Sequence, residues 1–170
     1  MTTDEQLMAE FQQGSKDAFA ELFERYREPI YGFFRRRLRN AARAEELAQE
    51  TFLIVLRKAE RYEPRAAFRA YLYAIAFRQA SGEYRRAKHE AEPMLNEPAS
   101  PAEDTCEGIW VRDALAKLEA TQREILMLRE YEQLSYEEIA ALLRIPVNTV
   151  RSRLFRARTA LKEQLRSVKV

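Results

Sequence analysis

Residues 135–161, SYEEIAALLRIPVNTVRSRLFRARTAL, constrain the fold most strongly, because the sequence marks where each of two helices begins. Ser135 and Glu138 have the spacing of a capping box, in which each side chain bonds the backbone N–H of the other. Pro146 cannot continue the first helix, but it can open a second one. We therefore predict two short helices joined by a tight turn, as in a helix-turn-helix.

The second helix of this hairpin has two different sides. Val150, Leu154, Ala157 and Leu161 recur at steps of three and four residues, which predicts one buried stripe. Polar, cationic and aromatic side chains lie on the opposite side and along its edges. We take these residues as candidates for DNA contact: Asn148, Thr149, Arg151, Ser152, Arg153, Phe155, Arg156 and Arg158.

The segment from residue 144 to residue 170 is strongly basic. It has eight Lys and Arg against one Glu, a net charge of +7, whereas the whole chain carries only +2. A cationic helix held against a capped partner suits insertion into the DNA major groove, where it neutralises phosphates. The alternative is a solvated helical hairpin in a bundle, because charged helix faces usually meet only water.

Composition favours an all-α chain of one or two small domains. The chain has 170 residues, 46% of them hydrophobic, and only four glycines, and its apolar periodicity is helical nearly throughout. It has no apolar run of membrane-spanning length and no secretory leader, so we expect a cytoplasmic protein. With one cysteine (Cys106) and one histidine (His89), we predict no internal disulfide, no metal or other cofactor, and no enzymatic activity.

The first two helices are marked by caps, at Thr3 with Gln6 and at Ser15. Pro29 predicts either a kink in the second helix or the start of a new segment. An arginine run, residues 35–39, follows and has two readings. It either stabilises the negative end of the helix or contacts nucleic acid.

The third predicted helix, residues 44–61, has an acidic and amidic face. We expect Phe52 and Leu56 to lie on its inward side with the other apolar residues. The polar residues fall in its first turns, where carboxylates stabilise a helix end, and the alternative is a protein-docking surface. This polar group consists of Glu45, Glu46, Gln49 and Glu50.

The fourth predicted helix, residues 65–88, interleaves aromatic rings with cations. Such a surface suits single-stranded DNA, since bases stack on rings while phosphates meet cations. The alternative is that most of the rings belong to the core. The candidate residues are Tyr71, Tyr73, Phe77, Arg78, Arg85 and Arg86, with Tyr73 and Phe77 expected partly outside the buried face.

Residues 89–107 have six acids, three prolines and no Lys or Arg, which predicts a linker. We therefore divide the chain into an N-terminal helical domain (residues 1–88), a linker (89–108) and a C-terminal helix-turn-helix domain (109–170). The C-terminal domain should hold about four helices, the first beginning near Ile109. Thr121 and Glu124 predict a capping box at the start of the second.

Two parts of the chain resemble one family. Residues 44–52, AEELAQETF, resemble the polymerase-binding helix of bacterial extracytoplasmic-function (ECF) sigma factors. Residues 137–140, EEIA, with 148–154, NTVRSRL, and 156–158, RAR, resemble the second conserved domain of the same family.

The resemblance implies an alternative sigma factor that binds RNA polymerase core and directs promoter-specific initiation. It implies that Glu46, Gln49, Glu50 and Phe52 lie on the polymerase-binding helix. The helix around Tyr71 to Arg86 would recognise the minus-ten element, and the second hairpin helix the minus-thirty-five element. The resemblance also suggests an anti-sigma factor as a partner.

The chain departs from the family pattern at five positions. Arg78 and Gly82 stand where the family usually has Asn and Asp, and Tyr71 stands where it has Trp. In the hairpin turn, Arg144 and Asn148 stand where it has Gly. Two other function classes stay open at this point. One is a helix-turn-helix regulator that never joins polymerase, and the other is a bundle that binds only proteins.

Overall fold

A computed structural model describes residues 2–89 and 106–167, which form two compact units. All regular structure within these two ranges is helical, as predicted. Most of the predicted linker lies outside the described residues. None of the helices in the described ranges is long and apolar enough to cross a membrane.

The first unit, residues 2–89, has four α-helices. They are α1 (Asp4–Gln12), α2 (Lys16–Arg35), α3 (Ala41–Lys58) and α4 (Phe68–His89), with a short 3-10 turn (Ala59–Arg61) after α3. Helices α2, α3 and α4 pack on one another, and α1 packs on α2 and α4. The largest fully buried side chains here include Phe33, Phe34 and Phe68.

The predicted caps of α1 and α2 are confirmed. Thr3 and Gln6 form a complete capping box, and the Ser15 hydroxyl accepts from the Ala18 N–H at 3.3 Å. Between the helices, Gly14 has a φ of 103°, a backbone conformation that favours glycine. Helix α2 continues through Pro29, so no new segment starts there.

The end of α2 favours the capping reading of the arginine run. Arg37 donates to the Phe33 carbonyl at 3.0 Å, and its guanidinium lies 3.7 Å from the centre of the Phe33 ring. Arg35 donates to the Leu38 carbonyl at 3.0 Å. The Arg37 bond satisfies a carbonyl of the last turn of α2 that has no partner within the helix, and the Arg35 bond holds the segment that follows the helix.

Helix α3 starts three residues earlier than predicted. Asn40 is its cap, with the side-chain oxygen 3.0 Å from the Arg43 N–H. Because the helix begins at Ala41, its first turn contains no acidic residue. The carboxylates at Glu45 and beyond therefore lie mostly past the reach of the helix dipole, which falls off within the first turn.

Two predicted orientations in this unit are wrong. Tyr73 is only 4% exposed, because its ring packs against Phe33 of α2 with ring centres 5.8 Å apart. Leu56, expected inward, is 38% exposed. The buried side of α3 runs instead through Phe52, Val55 and Ala59.

The second unit, residues 106–167, also has four α-helices, the predicted number. They are α5 (Cys106–Ala116), α6 (Ala120–Glu130), α7 (Tyr136–Leu143) and α8 (Val147–Ser167). Helices α6, α7 and α8 share a core that includes Ile125, Leu128 and Ile139, and α5 packs on α8.

The capping box predicted at Thr121 is wrong. Helix α6 begins at Ala120 with Glu119 as its cap residue, and the Glu119 side chain makes no capping hydrogen bond. Thr121 lies inside the first turn, and its hydroxyl donates to the Glu119 carboxylate at 2.7 Å. Helix α5 also begins earlier than expected, at Cys106 rather than near Ile109.

Candidate nucleic-acid and protein interfaces

The helix-turn-helix has the predicted geometry at its start. The Ser135 hydroxyl accepts from the Glu138 N–H at 3.1 Å, and the Ser135 N–H donates to the Glu138 carboxylate at 2.7 Å. The two bonds satisfy N–H groups that would otherwise have no partner at this end of α7. The predicted capping box is confirmed.

The turn between α7 and α8 passes through a left-handed residue. Arg144 has φ 55° and ψ 47°, and its N–H bonds the Ala140 carbonyl. The next residue, Ile145, also donates to Ala140, at 3.0 Å. The Pro146 carbonyl then accepts from Val150 at 3.1 Å and opens α8. Left-handed backbone is costly for a residue with a Cβ, and glycine avoids this cost.

Helix α8 buries the predicted stripe and exposes the predicted surface. Val150, Leu154 and Ala157 are at most 1% exposed, and Leu161 is half-buried. The Phe155 ring is 73% exposed, although a ring of that size would normally be covered. Of the other candidates for DNA contact, Thr149 is half-buried, and these are exposed: Asn148, Arg151, Ser152, Arg153, Arg156 and Arg158.

Arg158 differs from the other arginines of this surface. Its guanidinium lies 2.7 Å from the Glu130 carboxylate of α6, and this hydrogen bond is the main cause that raises the pKa of Arg158. Part of its positive charge is therefore balanced within the unit. Arg158 holds α8 against α6 as well as facing outward.

Helix α4 carries part of the predicted aromatic and cationic surface. Arg78, Arg85 and Arg86 are exposed, and Tyr71 and Phe77 are half-buried. Burial raises the pKa of the Tyr71 phenol, and the charge of Arg78 opposes that shift. The structure thus brings Tyr71 and Arg78 within electrostatic reach of each other. Tyr73 does not belong to this surface, because it is buried against Phe33.

The sequence analysis did not identify Tyr84, an exposed ring on α4. Tyr84 is 68% exposed, seven residues after Phe77 and adjacent in sequence to Arg85. Glu83 makes a two-bond contact with Arg43 of α3 and also lies 3.8 Å from Arg86, so part of the Arg86 charge is balanced within the unit. The seven-residue spacing from Phe77 was a signal that could have identified Tyr84.

Helix α3 presents a mixed acidic and apolar face. Glu46 and Gln49 are exposed, and Glu50 is half-buried. Two leucines are also exposed, Leu53 at 43% and Leu56 at 38%. Because positions 46, 49, 50, 53, 56 and 57 recur at helical steps, these residues share one side of α3. The sequence analysis placed Leu56 in the core, because apolar periodicity assigns it there, and made no prediction for Leu53.

Phe52 does not reach this face. It is 5% exposed, and its ring packs edge-on against Phe23 of α2, with ring centres 4.9 Å apart. The side chain therefore packs α3 against α2 and lies on the buried side of the helix. On the exposed side, Glu46 accepts from Arg43 at 2.9 Å and Glu50 from Arg57 at 3.1 Å.

A capped helix-turn-helix with an exposed cationic second helix defines a class of helical DNA-binding protein. Family models agree with that class. The model for sigma-70 region 2 matches residues 22–90, and the model for sigma-70 region 4 matches residues 109–161.

Individual proteins are similar over nearly the whole chain. RNA polymerase sigma factor CarQ of Myxococcus xanthus is 38% identical over 165 residues, covering 93% of this chain and 95% of CarQ. ECF RNA polymerase sigma factor SigW of Bacillus subtilis is 30% identical, covering 92% and 93%. A solved structure of sigma factor RpoE with anti-sigma factor NepR from Bartonella quintana has a TM-score of 0.75 at 25% identity, covering 89% of this chain and 98% of that one.

The chain belongs to the ECF RNA polymerase sigma factors. It is an alternative sigma factor, which binds RNA polymerase core and directs promoter-specific transcription initiation. The match to region 2 in the N-terminal unit favours this function over a helix-turn-helix regulator that never joins polymerase.

Proposed function

We propose that three surfaces divide the work of initiation. The exposed side of α3 binds polymerase core, the outer side of α4 binds the minus-ten element, and the outer side of α8 binds the minus-thirty-five element. Residues 1–88 thus form the core and minus-ten domain, residues 89–108 the linker, and residues 109–170 the minus-thirty-five domain. One observation carries the proposal: the exposed side chains of each surface suit its own partner. Leucines and carboxylates on α3 suit a protein, rings and cations on α4 suit unpaired bases, and polar and cationic groups on α8 suit duplex DNA.

The core-binding surface consists of Glu46, Gln49 and Glu50 with the exposed Leu53 and Leu56. Exposed leucines beside carboxylates suit a protein partner, because the leucines supply apolar area while the charges set orientation and exclude wrong partners. DNA would be repelled by Glu46 and Glu50. Phe52 contributes by holding α3 in place, from within the core.

The minus-ten surface consists of Tyr71, Phe77, Arg78, Arg85 and Arg86 on α4. Half-buried rings beside exposed guanidinium groups suit unpaired bases, which stack on the rings while their phosphates meet the cations. Capture of bases out of the duplex stack offsets the cost of opening, a few kcal/mol for each base.

The minus-thirty-five surface lies on α8, in the position of a recognition helix. Asn148, Arg151 and Arg156 offer the side-chain groups that read base edges or bind phosphates. Phe155 offers apolar contact of the kind that suits a thymine methyl group. Thr149, Ser152, Arg153 and Arg158 complete the surface.

Partner and location follow from this role. Because RpoE is solved in complex with the anti-sigma factor NepR, we propose that this chain is also controlled by an anti-sigma factor. Its place of action would be the cytoplasm, where polymerase and promoter DNA are found. The nucleotidyl chemistry belongs to polymerase, so the proposed role requires no catalytic group in this chain.

A charge reversal on α3 tests the core-binding surface. Glu50→Lys should lower affinity for purified core by about tenfold or more, since it places a like charge against a complementary surface. Glu28→Lys is the matched control, an exposed acid on α2 outside the proposed surface. Both variants should keep the wild-type circular dichroism spectrum. Equal core affinity in the two variants would overturn the assignment.

A further inference from the structure

Helix α1 lies outside the residues that match sigma-70 region 2, yet its side chains hold the segment that leads into α4. Gln12 Nε2 donates to the carbonyls of Ala59, at 2.8 Å, and Tyr62, at 2.9 Å. Glu5 Oε1 accepts from the Phe68 N–H at 2.8 Å. One helix therefore fixes both ends of the connection between α3 and α4.

The connection itself is exposed. Residues 63–67 all have exposed side chains, and among them the Arg65 N–H bonds the Glu63 carbonyl at 2.8 Å. Each residue of such a loop costs about 1–2 kcal/mol to fix in one conformation. Anchors at the two ends lower the freedom that remains to be lost when the loop meets a partner.

The Glu5 contact also acts on α4. Phe68 is the first residue of α4, and its N–H is one of the groups that a helix leaves without an internal partner. A carboxylate at this position satisfies that donor and interacts favourably with the positive end of the helix. Glu5 therefore caps the proposed minus-ten helix from a separate element.

Three aromatic rings connect these anchors to the proposed minus-ten surface. The rings of Tyr62 and Tyr71 meet edge-on with centres 5.0 Å apart, and the Phe68 ring lies 6.0 Å from Tyr62 and 6.2 Å from Tyr71. Gln12 fixes the backbone of the first ring residue, and Glu5 that of Phe68. The third ring, Tyr71, is a member of the proposed minus-ten surface.

We propose that Gln12 and Glu5 are positioning residues for promoter opening. They fix the Tyr62–Phe68–Tyr71 ring cluster and the 63–67 loop before DNA binds, so that less of the free energy of base capture is lost in ordering the protein. This inference rests on the proposed minus-ten role of α4. Neither residue belongs to the three proposed contact surfaces.

The test compares Gln12→Met with Gln13→Met in run-off transcription by complete holoenzyme. Methionine has nearly the length of glutamine but cannot donate to Ala59 and Tyr62, and Gln13 is an exposed neighbour. Each variant is assayed on a promoter selected with the wild-type holoenzyme, as intact duplex and as a template already mismatched across the minus-ten element. Core binding and thermal unfolding are measured in parallel.

Gln12→Met should initiate from the duplex about threefold to tenfold less well than wild type, the loss expected from one or two hydrogen bonds. On the pre-melted template no base pairs have to be broken, so base capture has no unpairing cost to offset and should no longer limit initiation. Initiation by Gln12→Met should there equal that of Gln13→Met, and core affinity should be unchanged. Duplex initiation equal to that of Gln13→Met would overturn the proposal. So would a defect of the same size on both templates.

Two further variants distinguish failure of the positioning role from failure of the proposed minus-ten surface. If Gln12→Met unfolds at the assay temperature, Glu5→Met takes its place, because methionine has no oxygen to accept from the Phe68 N–H. Glu10→Met, at an exposed position of the same helix, is its control, and the same two outcomes are expected. Tyr71→Ala tests the minus-ten surface itself. A defect in Tyr71→Ala without one in the α1 variants would overturn the positioning role alone. Full duplex initiation by Tyr71→Ala would overturn the proposed minus-ten surface.

Discussion

Arg43 and Glu83 form a two-bond ion pair that joins α3 to α4. The Arg43 Nε lies 3.0 Å from Glu83 Oε1, and the Arg43 Nη2 lies 2.8 Å from Glu83 Oε2. The Arg43 hydrogen bond lowers the pKa of Glu83, and Arg86 lowers it further. The same arginine also bonds Glu46, so it links the proposed core-binding helix to the proposed minus-ten helix.

This pair should make the stability of the N-terminal unit depend on pH on the acid side. A carboxyl group with a lowered pKa contributes stability above its unfolded pKa, about 4.3 for glutamate, and the contribution is lost as pH falls through the folded pKa. Glu83→Gln should therefore flatten the unfolding free energy against pH below about 4.3. Urea titrations between pH 3 and pH 7 would measure this.

A double-mutant cycle measures the pair itself. Both side chains are partly exposed, so Arg43→Ala combined with Glu83→Ala should show a coupling free energy of only about 1 kcal/mol. Arg27→Ala with Glu24→Ala is a matched control, because that pair lies within one helix and is more exposed. Coupling no larger in the first pair than in the control would show that the two-bond geometry adds nothing.

Arg144 should be a site where glycine stabilises. Its left-handed φ of 55° costs an L-residue about 1–2 kcal/mol, which glycine avoids. Arg144→Gly is expected to raise the free energy of unfolding of the C-terminal unit by about 1 kcal/mol, after allowance for the greater freedom of unfolded glycine. Arg144→Ala removes the same charge without relieving the strain and should show no gain. Equal stability in the two variants would argue against strain in the turn.

The arginines of α8 should differ in what they contribute to DNA binding. If Arg156 contacts a phosphate, Arg156→Ala should reduce the slope of log affinity against log salt by about 0.9 for a minus-thirty-five duplex. Arg158→Ala should reduce the slope less, because Glu130 already balances part of that charge, and should also lower the melting temperature. Lys162→Ala serves as an exposed cation outside the proposed surface. Equal slopes for all three would contradict the assignment.

Phe52 should behave as a core residue. Phe52→Ala removes a ring packed against Phe23 and should destabilise the N-terminal unit by about 3–5 kcal/mol. Leu53→Ala, one residue along on the exposed face, should cost less than about 1 kcal/mol while weakening core binding. Chemical denaturation combined with core pull-down separates the two effects. A stable Phe52→Ala variant with reduced core affinity would place that ring in the interface.

Local chemistry made several elements predictable from sequence. Capping boxes at Thr3 and Ser135 mark their helices because each needs only residues three positions apart. The Val150 stripe was predictable because α8 has one buried side with regular spacing. Asn40 was an available signal for the start of α3, and the apolar pattern further along obscured it.

Tertiary contacts decided the rest. Periodicity could not assign Tyr73 to the core or Leu56 to the surface, because each lies at the edge of the apolar stripe of its helix. Whether such a side chain is buried depends on how a neighbouring helix packs there. The anchors at Gln12 and Glu5 act across 47 to 63 residues of sequence. No local pattern indicates such contacts.

Transcription from a randomised promoter library tests most directly whether α4 recognises the minus-ten element and α8 the minus-thirty-five element. Core polymerase with the wild-type chain should select a two-part motif with a fixed spacing. Arg78→Ala should change base preference only in the minus-ten part, and Asn148→Ala only in the minus-thirty-five part. Selection of a single-part motif, or a change in the opposite part from the one assigned, would contradict the account.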